Sequence, residues 1–383
     1  MRSFNVGILG CGVISRTYAG DILRFFPQLR IAACADLSPA AAGTLAKEFD
    51  IPKAYGSMEE LLEDPEIEIV VNLTPPQAHT VLNRRIIEAG KHLFSEKPFS
   101  QTVADAEALL VLAEEKGVQV GCAPDTFLSS GLQSVRYYLD SGLIGKPFFA
   151  TANMTTFGVE TWHPNPAPFY MKGSGPMFDM APYYLSALIS LLGPVERIAA
   201  FSIKPAETRH IYAGRLAGTD IPSEVDTHYS AVLRMKCGAV ANLNVSFDIY
   251  RSSLPMFEIY GDGGTLAYPD PNFGGGAPRV YRKEQYTDPV FRDTEEARQR
   301  KESFYELPEL FPRPKDYSRG IGVADLARAA ETGKASRTRG IILHTIEAIT
   351  GLMAASESGT VYEMKTVCER PEPMKPGGNL GEV

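Results

Sequence analysis

Over residues 1–125 short apolar runs alternate with longer stretches of helical spacing, and this rhythm leaves the chain few folds. The runs at 6–9, 29–35, 67–73, 92–95 and 118–122 read as strands. The stretches at 14–26, 39–49, 58–62, 79–89 and 103–116 read as helices, with Ser38 a suitable N-cap for the second. Strands separated by helices make βαβ units, so the strands must lie parallel with helices on both faces.

After Pro124 the texture changes. A helix over 131–141 precedes runs at 148–154, 195–203, 228–235, 239–247 and 256–260 that alternate apolar and polar residues. Period-two alternation gives a strand one buried and one exposed face, as in an open antiparallel or mixed sheet. The stretch 177–192 reads as one helix, 321–331 and 341–356 as two more, and 269–278 as a Pro/Gly loop. The residues from 369 to 383 read as a tail, disordered or draped on a neighbour.

Composition narrows the partners. With 383 residues the chain is long enough for two domains, and 44% apolar with 22% charged residues is usual for a soluble globular protein. A net charge of −8 argues against nucleic acid or an anionic membrane as the main partner. No apolar run approaches about 18 residues and no signal segment opens the chain, so the expected location is the cytoplasm. Cys11, Cys34, Cys122, Cys237 and Cys368 are odd in number and widely spaced. Buried, reduced thiols are expected rather than disulfides or a metal site.

Gly10-Cys11-Gly12-Val13-Ile14-Ser15 lies between the first strand and the first helix. Gly10 permits a tight turn, Gly12 lets backbone approach a pyrophosphate at the helix N-terminus, and Ser15 is small enough for close packing. Asp36 closes the second strand, where a carboxylate accepts from both ribose hydroxyls and repels a 2′-phosphate; Leu37 follows, with no arginine. The expected cofactor is therefore NAD rather than NADP. Thr74 and Pro75 end the third apolar strand at the ligand-binding edge of such a sheet, and His79 follows as a further candidate cofactor contact. Phe94-Ser95-Glu96-Lys97-Pro98 puts an ammonium group at a buried strand end. Desolvation lowers a lysine pKa, which suits Lys97 to exchange a proton beside a nicotinamide ring, with Glu96 orienting the loop and both residues counted, with Val13 and Ile14, among the candidate cofactor contacts.

These residues, in this order and spacing, resemble the Gfo/Idh/MocA oxidoreductases (glucose–fructose oxidoreductase, inositol dehydrogenase and relatives). Gly173-Ser174-Gly175-Pro176-Met177-Phe178-Asp179 with Tyr183, and Glu258-Ile259-Tyr260-Gly261 with Gly264-Thr265-Leu266, extend the likeness over residues 4–366. The resemblance implies an N-terminal Rossmann doubly wound parallel sheet and a C-terminal α/β domain with a large open, mostly antiparallel sheet that also forms oligomer contacts. The expected boundaries are 1–125 for the NAD-binding domain and 126–368 for the substrate and oligomerisation domain, with C-terminal helices packing back on the first. It further implies Lys97 and Asp179 as proton-handling groups, and Tyr183 stands where most members have histidine.

Other candidates are open. Asp179 and Tyr183 are spaced i, i+4 and share a face if the stretch is helical, although Pro182 interrupts it. Trp162 and His163 can stack on and hydrogen-bond a sugar, or simply anchor their Pro-rich loop. Asp125 and Thr126 follow a strand end and are candidate substrate contacts, whereas His210 and His228 read as structural. The expected function is NAD-dependent hydride transfer at a hydroxyl of a sugar, glycoside or cyclitol, in a homo-oligomer (dimer or tetramer). One alternative is a glycoside hydrolase that works by transient oxidation, elimination and re-reduction. Another is a non-catalytic nucleotide-binding regulator.

Overall fold

The computed structural model describes residues 2–287, 295, 303–311 and 319–377. They form two compact units. The first comprises Met1–Ser129, Pro312–Thr350 and Met374–Val383, and the second Ser130–Phe311 and Gly351–Pro373.

In the first unit six strands form a parallel sheet: β1 (Phe4–Leu9), β2 (Leu29–Ala35), β3 (Lys53–Tyr55), β4 (Ile69–Asn72), β5 (His92–Ser95) and β6 (Val120–Cys122). Their order is β3-β2-β1-β4-β5-β6. The connecting helices are α1 (Val13–Phe25), α2 (Pro39–Glu48), α3 (Met58–Glu63), α4 (His79–Glu88) and α5 (Val103–Glu115). Val6, Ile8, Ile69, Val70 and Val71 are wholly buried, as near-continuous apolar strands covered on both faces must be. Strand order reverses between β1 and β4, which opens the ligand crevice at their carboxyl ends. Ser38 caps α2 by accepting from the Ala41 amide at 3.4 Å. The short β3 carries no apolar pattern; pairing with β2 rather than burial makes it a strand.

The helix Ile321–Thr332 belongs to this unit and packs against β5 and β6. Gly322 permits the approach, because a Cβ there would sit 2.5 Å from the Phe94 ring. Ser336 donates to the Val120 carbonyl at 3.0 Å and fixes the chain that follows.

The second unit contains α6 (Ser130–Asp140), β7 (Pro147–Thr155), α7 (Gly175–Asp179), α8 (Ala181–Leu192), β8 (Val195–Ile203), β9 (Thr208–His210), β10 (Asp220–Pro222), β11 (His228–Met235) and β12 (Val240–Ser246). It continues with β13 (Phe257–Gly261), β14 (Gly264–Tyr268), β15 (Arg279–Arg282), β16 (Tyr305–Glu306) and β17 (Tyr362–Glu363). Nine strands pair in the order β16-β15-β14-β13-β7-β12-β11-β8-β17, while β9 and β10 form a separate hairpin. Every pairing is antiparallel except β7 with β12, so the sheet is mixed. Ala150, Ala152, Leu233, Leu243 and Ile198 are buried on one face, as the alternation requires. Phe201, Ile203 and Val232, on the opposite face, are exposed.

The structure corrects three expectations. The single helix over 177–192 is two, α7 and α8, broken at Met180, because Pro182 has no amide hydrogen to continue the ladder and instead sits in the first turn of α8. The tail is held through residue 374 at least: Arg370 pairs with Asp140 at 2.7 Å, Arg136 donates to the Pro371 carbonyl at 3.3 Å, and Met374 is buried. Residues 378–383 lie outside the described residues. Cys237 is an exposed thiol, whereas the other four are buried. Among the described residues no helix is long and apolar enough to cross a membrane.

Candidate active site

At the carboxyl end of β1 the chain turns through Gly10 with φ +94°, a conformation that suits glycine. A Cβ there would lie 2.9 Å from the Leu73 carbonyl group and the Thr74 amide nitrogen. Gly12 is different. Its φ of −76° is ordinary, it precedes α1 without a side-chain cap, and a Cβ would meet nothing within 4 Å. The open space lies beside the helix N-terminus, whose first amides (Val13 and Ile14 among them) have no intrahelical acceptor. Ser15 is fully buried and donates to the Gly12 carbonyl at 2.6 Å, so its hydroxyl braces the turn.

Asp36 is locked in place by two backbone amides: Oδ2 accepts from Cys11 and Oδ1 from Ser38, each at 2.8 Å. Its remaining lone pairs are available to hydroxyl donors, and the next side chain, Leu37, stands in solvent. An open backbone at Gly12, an uncapped helix start and a fixed acceptor carboxylate together fit a dinucleotide.

Thr74 is half-buried and Pro75 exposed, just beyond β4. Thr74 donates through its amide (3.2 Å) and hydroxyl (2.7 Å) to Asn72 Oδ1. His79 is buried, with Nδ1 2.7 Å from the Pro98 carbonyl and Nε2 2.8 Å from the Thr74 carbonyl. Both ring nitrogens thus face backbone carbonyls, and the neutral ring, with its single N–H, donates to one of them. Burial lowers its pKa, the two carbonyls and Glu96 oppose that fall, and Lys97 adds to it.

Beyond β5, Glu96 is buried and both its carboxylate oxygens are engaged: Oε1 accepts from Tyr18 at 2.8 Å and Oε2 from the Lys97 amide at 3.1 Å. Glu96 thus shapes the loop, and Lys97 is left half-buried at the sheet edge. Tyr18 lies on α1, so the helix that opens at the nucleotide turn also supports the lysine loop. Desolvation and the neighbouring Glu96 push the Tyr18 phenol up, which keeps it a donor.

Asp125 and Thr126 are buried, and among the described residues Asp125 Oδ1 and Thr126 Oγ1 meet no hydrogen-bond partner. Asp125 Oδ2 accepts from the Gly322 amide at 2.8 Å and from Gly320 at 3.3 Å, capping the helix Ile321–Thr332. Burial pushes its carboxyl up.

In the second unit Asp179 ends α7, half-buried, and Tyr183 lies in the first turn of α8, 4% exposed. The break between them means that their spacing does not put them on one continuous helix face. Trp162 is 64% exposed and packs edge-on to His163, which in turn meets Phe169. Beneath this loop Glu160 accepts from buried Arg209 at 2.6 and 3.0 Å, and Arg209 also pairs with Asp248. His210 pairs with Asp220 across the hairpin and His228 contacts Ser230.

Sequence reasoning missed Tyr18, Asn72, Asn83 and Arg209. Only Asn83 left a trace, four residues beyond His79 on an amphipathic helix.

Two family models match the chain: one for an oxidoreductase family with an NAD-binding Rossmann fold over residues 4–123, the other for the GFO/IDH/MocA C-terminal domain over 132–267. The chain belongs to the GFO/IDH/MocA family. Like its family, this GFO/IDH/MocA protein is an oxidoreductase with an NAD-binding N-terminal domain. Levoglucosan dehydrogenase of Pseudarthrobacter phenanthrenivorans is 22% identical over 292 residues, 70% of this chain and 74% of that protein. A dTDP-3,4-didehydro-2,6-dideoxy-alpha-D-glucose 3-reductase of Saccharopolyspora spinosa is 26% identical over 353 residues, 90% of this chain and 97% of that one. The structure of a levoglucosan dehydrogenase in complex with NADH superposes with a TM-score of 0.78 at 19% identity, covering 96% of this chain and 100% of that chain, and shows the same fold.

Proposed function

We propose that this GFO/IDH/MocA protein transfers a hydride between a ring hydroxyl of a sugar, glycoside or cyclitol and NAD, with Lys97 at the reacting oxygen. The observation that carries this reading is the lysine loop. A buried glutamate bonded to both Tyr18 and the Lys97 amide holds Lys97 at the same sheet edge as the Gly10 turn, Asp36 and Thr74. The names of the two relatives above, both enzymes of sugar or anhydrosugar chemistry, support the substrate class.

Bound NAD⁺ supplies the hydride acceptor. When a carbinol carbon gives up hydride, its hydroxyl proton must leave to a group within about 2.6–3.2 Å. Lys97 stabilises the developing alkoxide and takes part in moving that proton. Asp179, which the family resemblance marks as proton-handling, and Tyr183, which stands where most members have histidine, are the candidates for carrying that proton onward. Asp36 would accept from the adenosine ribose hydroxyls, Gly12, Val13 and Ile14 would hold the pyrophosphate, and Thr74 and Pro75 would contact the dinucleotide along the carboxyl edge of the sheet. Trp162 and His163, on an anchored and exposed loop, supply a stacking face and a hydrogen-bonding ring for the sugar. A second copy of the chain covers the exposed sheet face at Phe201, Ile203 and Val232.

The test is Lys97→Ala. Turnover should fall at least about 100-fold while NAD⁺ affinity is largely kept. Near-normal turnover would remove Lys97 from the chemistry.

A further inference from the structure

The Thr74 loop and the Lys97 loop must keep a fixed separation if cofactor and reacting oxygen are to meet, and one face of α4 spans both. His79 and Asn83, spaced i, i+4, are buried on that face. His79 is wedged between the Thr74 carbonyl at 2.8 Å and the Pro98 carbonyl at 2.7 Å, donating its single N–H to one and packing against the other. Asn83 makes a parallel link. Its amide donates to Ser95 Oγ at 3.1 Å and to the Phe99 carbonyl at 3.0 Å, and its Oδ1 accepts from Asn72 at 2.8 Å. Asn72 in turn accepts from the Thr74 amide and hydroxyl, and Ser95 donates to the Glu96 carbonyl at 2.9 Å. Two side chains on one helix thus tie the residues on either side of Lys97 to the loop that ends β4.

We infer that His79 and Asn83 are positioning residues for hydride transfer: a two-point clamp that sets the distance between the Thr74 and Lys97 loops without touching either reactant. The inference rests on the proposed function in taking Thr74 as a cofactor contact and Lys97 as the group at the reacting oxygen. Releasing the clamp lets the two loops drift apart, and a displacement of about 1 Å at a reacting group can cost on the order of 100-fold in rate. Because both residues hold the same pair of loops, their effects must overlap. Residues with unrelated structural roles would instead multiply their losses.

The experiment compares His79→Phe, Asn83→Leu and the double variant with wild type, and His79→Gln replaces His79→Phe should the latter not fold. Calorimetry with NAD⁺ gives the dissociation constant, and turnover is measured at saturating NAD⁺ with whichever sugar the wild type oxidises. Each single variant should lose about 10- to 100-fold in kcat per folded molecule and bind NAD⁺ severalfold more weakly. The double variant should be little worse than the poorer single. Single variants with a lowered melting temperature but unchanged kcat and NAD⁺ affinity would overturn the clamp, as would fully multiplicative losses. If the wild type oxidises no sugar, the functional reading fails on its own. The NAD⁺ titration then decides: weaker binding in the variants supports the clamp and unchanged binding overturns it.

Discussion

Gly12→Ala separates binding from folding at the nucleotide turn. The Gly12 backbone, at φ −76° and ψ −162°, is open to alanine, and the added Cβ meets no protein atom within 4 Å. Reduced unfolded-state entropy should stabilise the variant by about 0.4–1 kcal/mol. Glycine is a better N-cap than alanine by a comparable few tenths to about 1 kcal/mol, so the two terms offset. The melting temperature should therefore stay within about 2–4 °C of wild type. The methyl group fills the space into which a pyrophosphate must come. Displacing the phosphate loses at least one charge-assisted bond to the helix amides, about 1.5–3 kcal/mol, or about 10- to 100-fold in affinity. Differential scanning fluorimetry and NAD⁺ calorimetry read the two quantities separately. Gly10→Ala is the control: its positive φ and three backbone atoms at 2.9 Å should cost stability outright. Unchanged NAD⁺ affinity in Gly12→Ala, or a loss of stability equal to that of Gly10→Ala, would refute the assignment of this turn to the dinucleotide.

Other expectations follow from the same geometry. Asp36→Ala should relax the preference for NAD over NADP, since the carboxylate that repels a 2′-phosphate is gone; an unchanged ratio of kcat/KM values for the two cofactors would exclude Asp36 from the choice. Arg209→Met leaves Glu160 buried without its cation and should cost about 3–5 kcal/mol in denaturant unfolding. Burial depresses both His79 and His92, so the unfolded chain binds more protons below about pH 6.5. Stability should be present above that pH and fall as pH drops through the folded values, by up to about 1.4 kcal/mol per pH unit for each histidine. His92→Gln should flatten this slope, because a neutral His92 accepts from the Gln119 amide at 2.9 Å and a protonated one cannot.

The βαβ rhythm was legible because both-sided burial leaves nearly continuous apolar strands, and the glycine turn because its φ admits little else. The strands of the second unit were legible from alternation. The helix break at Met180 was harder to place, since every residue of α8 is buried and its pattern carries no period. At the candidate site, Gly10, Gly12, Asp36 and Lys97 are candidates that local residue type and spacing suffice to propose. Asp125 and His79 meet backbone in the structure, which the sequence could not announce, because a carboxylate or imidazole near a strand end looks the same in sequence whether it faces ligand or backbone. Asp125 caps a helix that begins 196 residues later, at Ile321, and nothing local to either residue announces it. Tyr18 was silent for the same reason: its partner, Glu96, is 78 residues away in the chain.

The most direct measurement is absorbance at the NADH band after mixing the protein with NAD⁺ and a panel of free sugars, anhydrosugars, inositols and chromogenic glycosides. The account predicts steady NADH formation with one stereochemical set of ring hydroxyls, abolished in Lys97→Ala. Chromophore release from a glycoside without net NADH, or no NADH with any member of the panel, would contradict it.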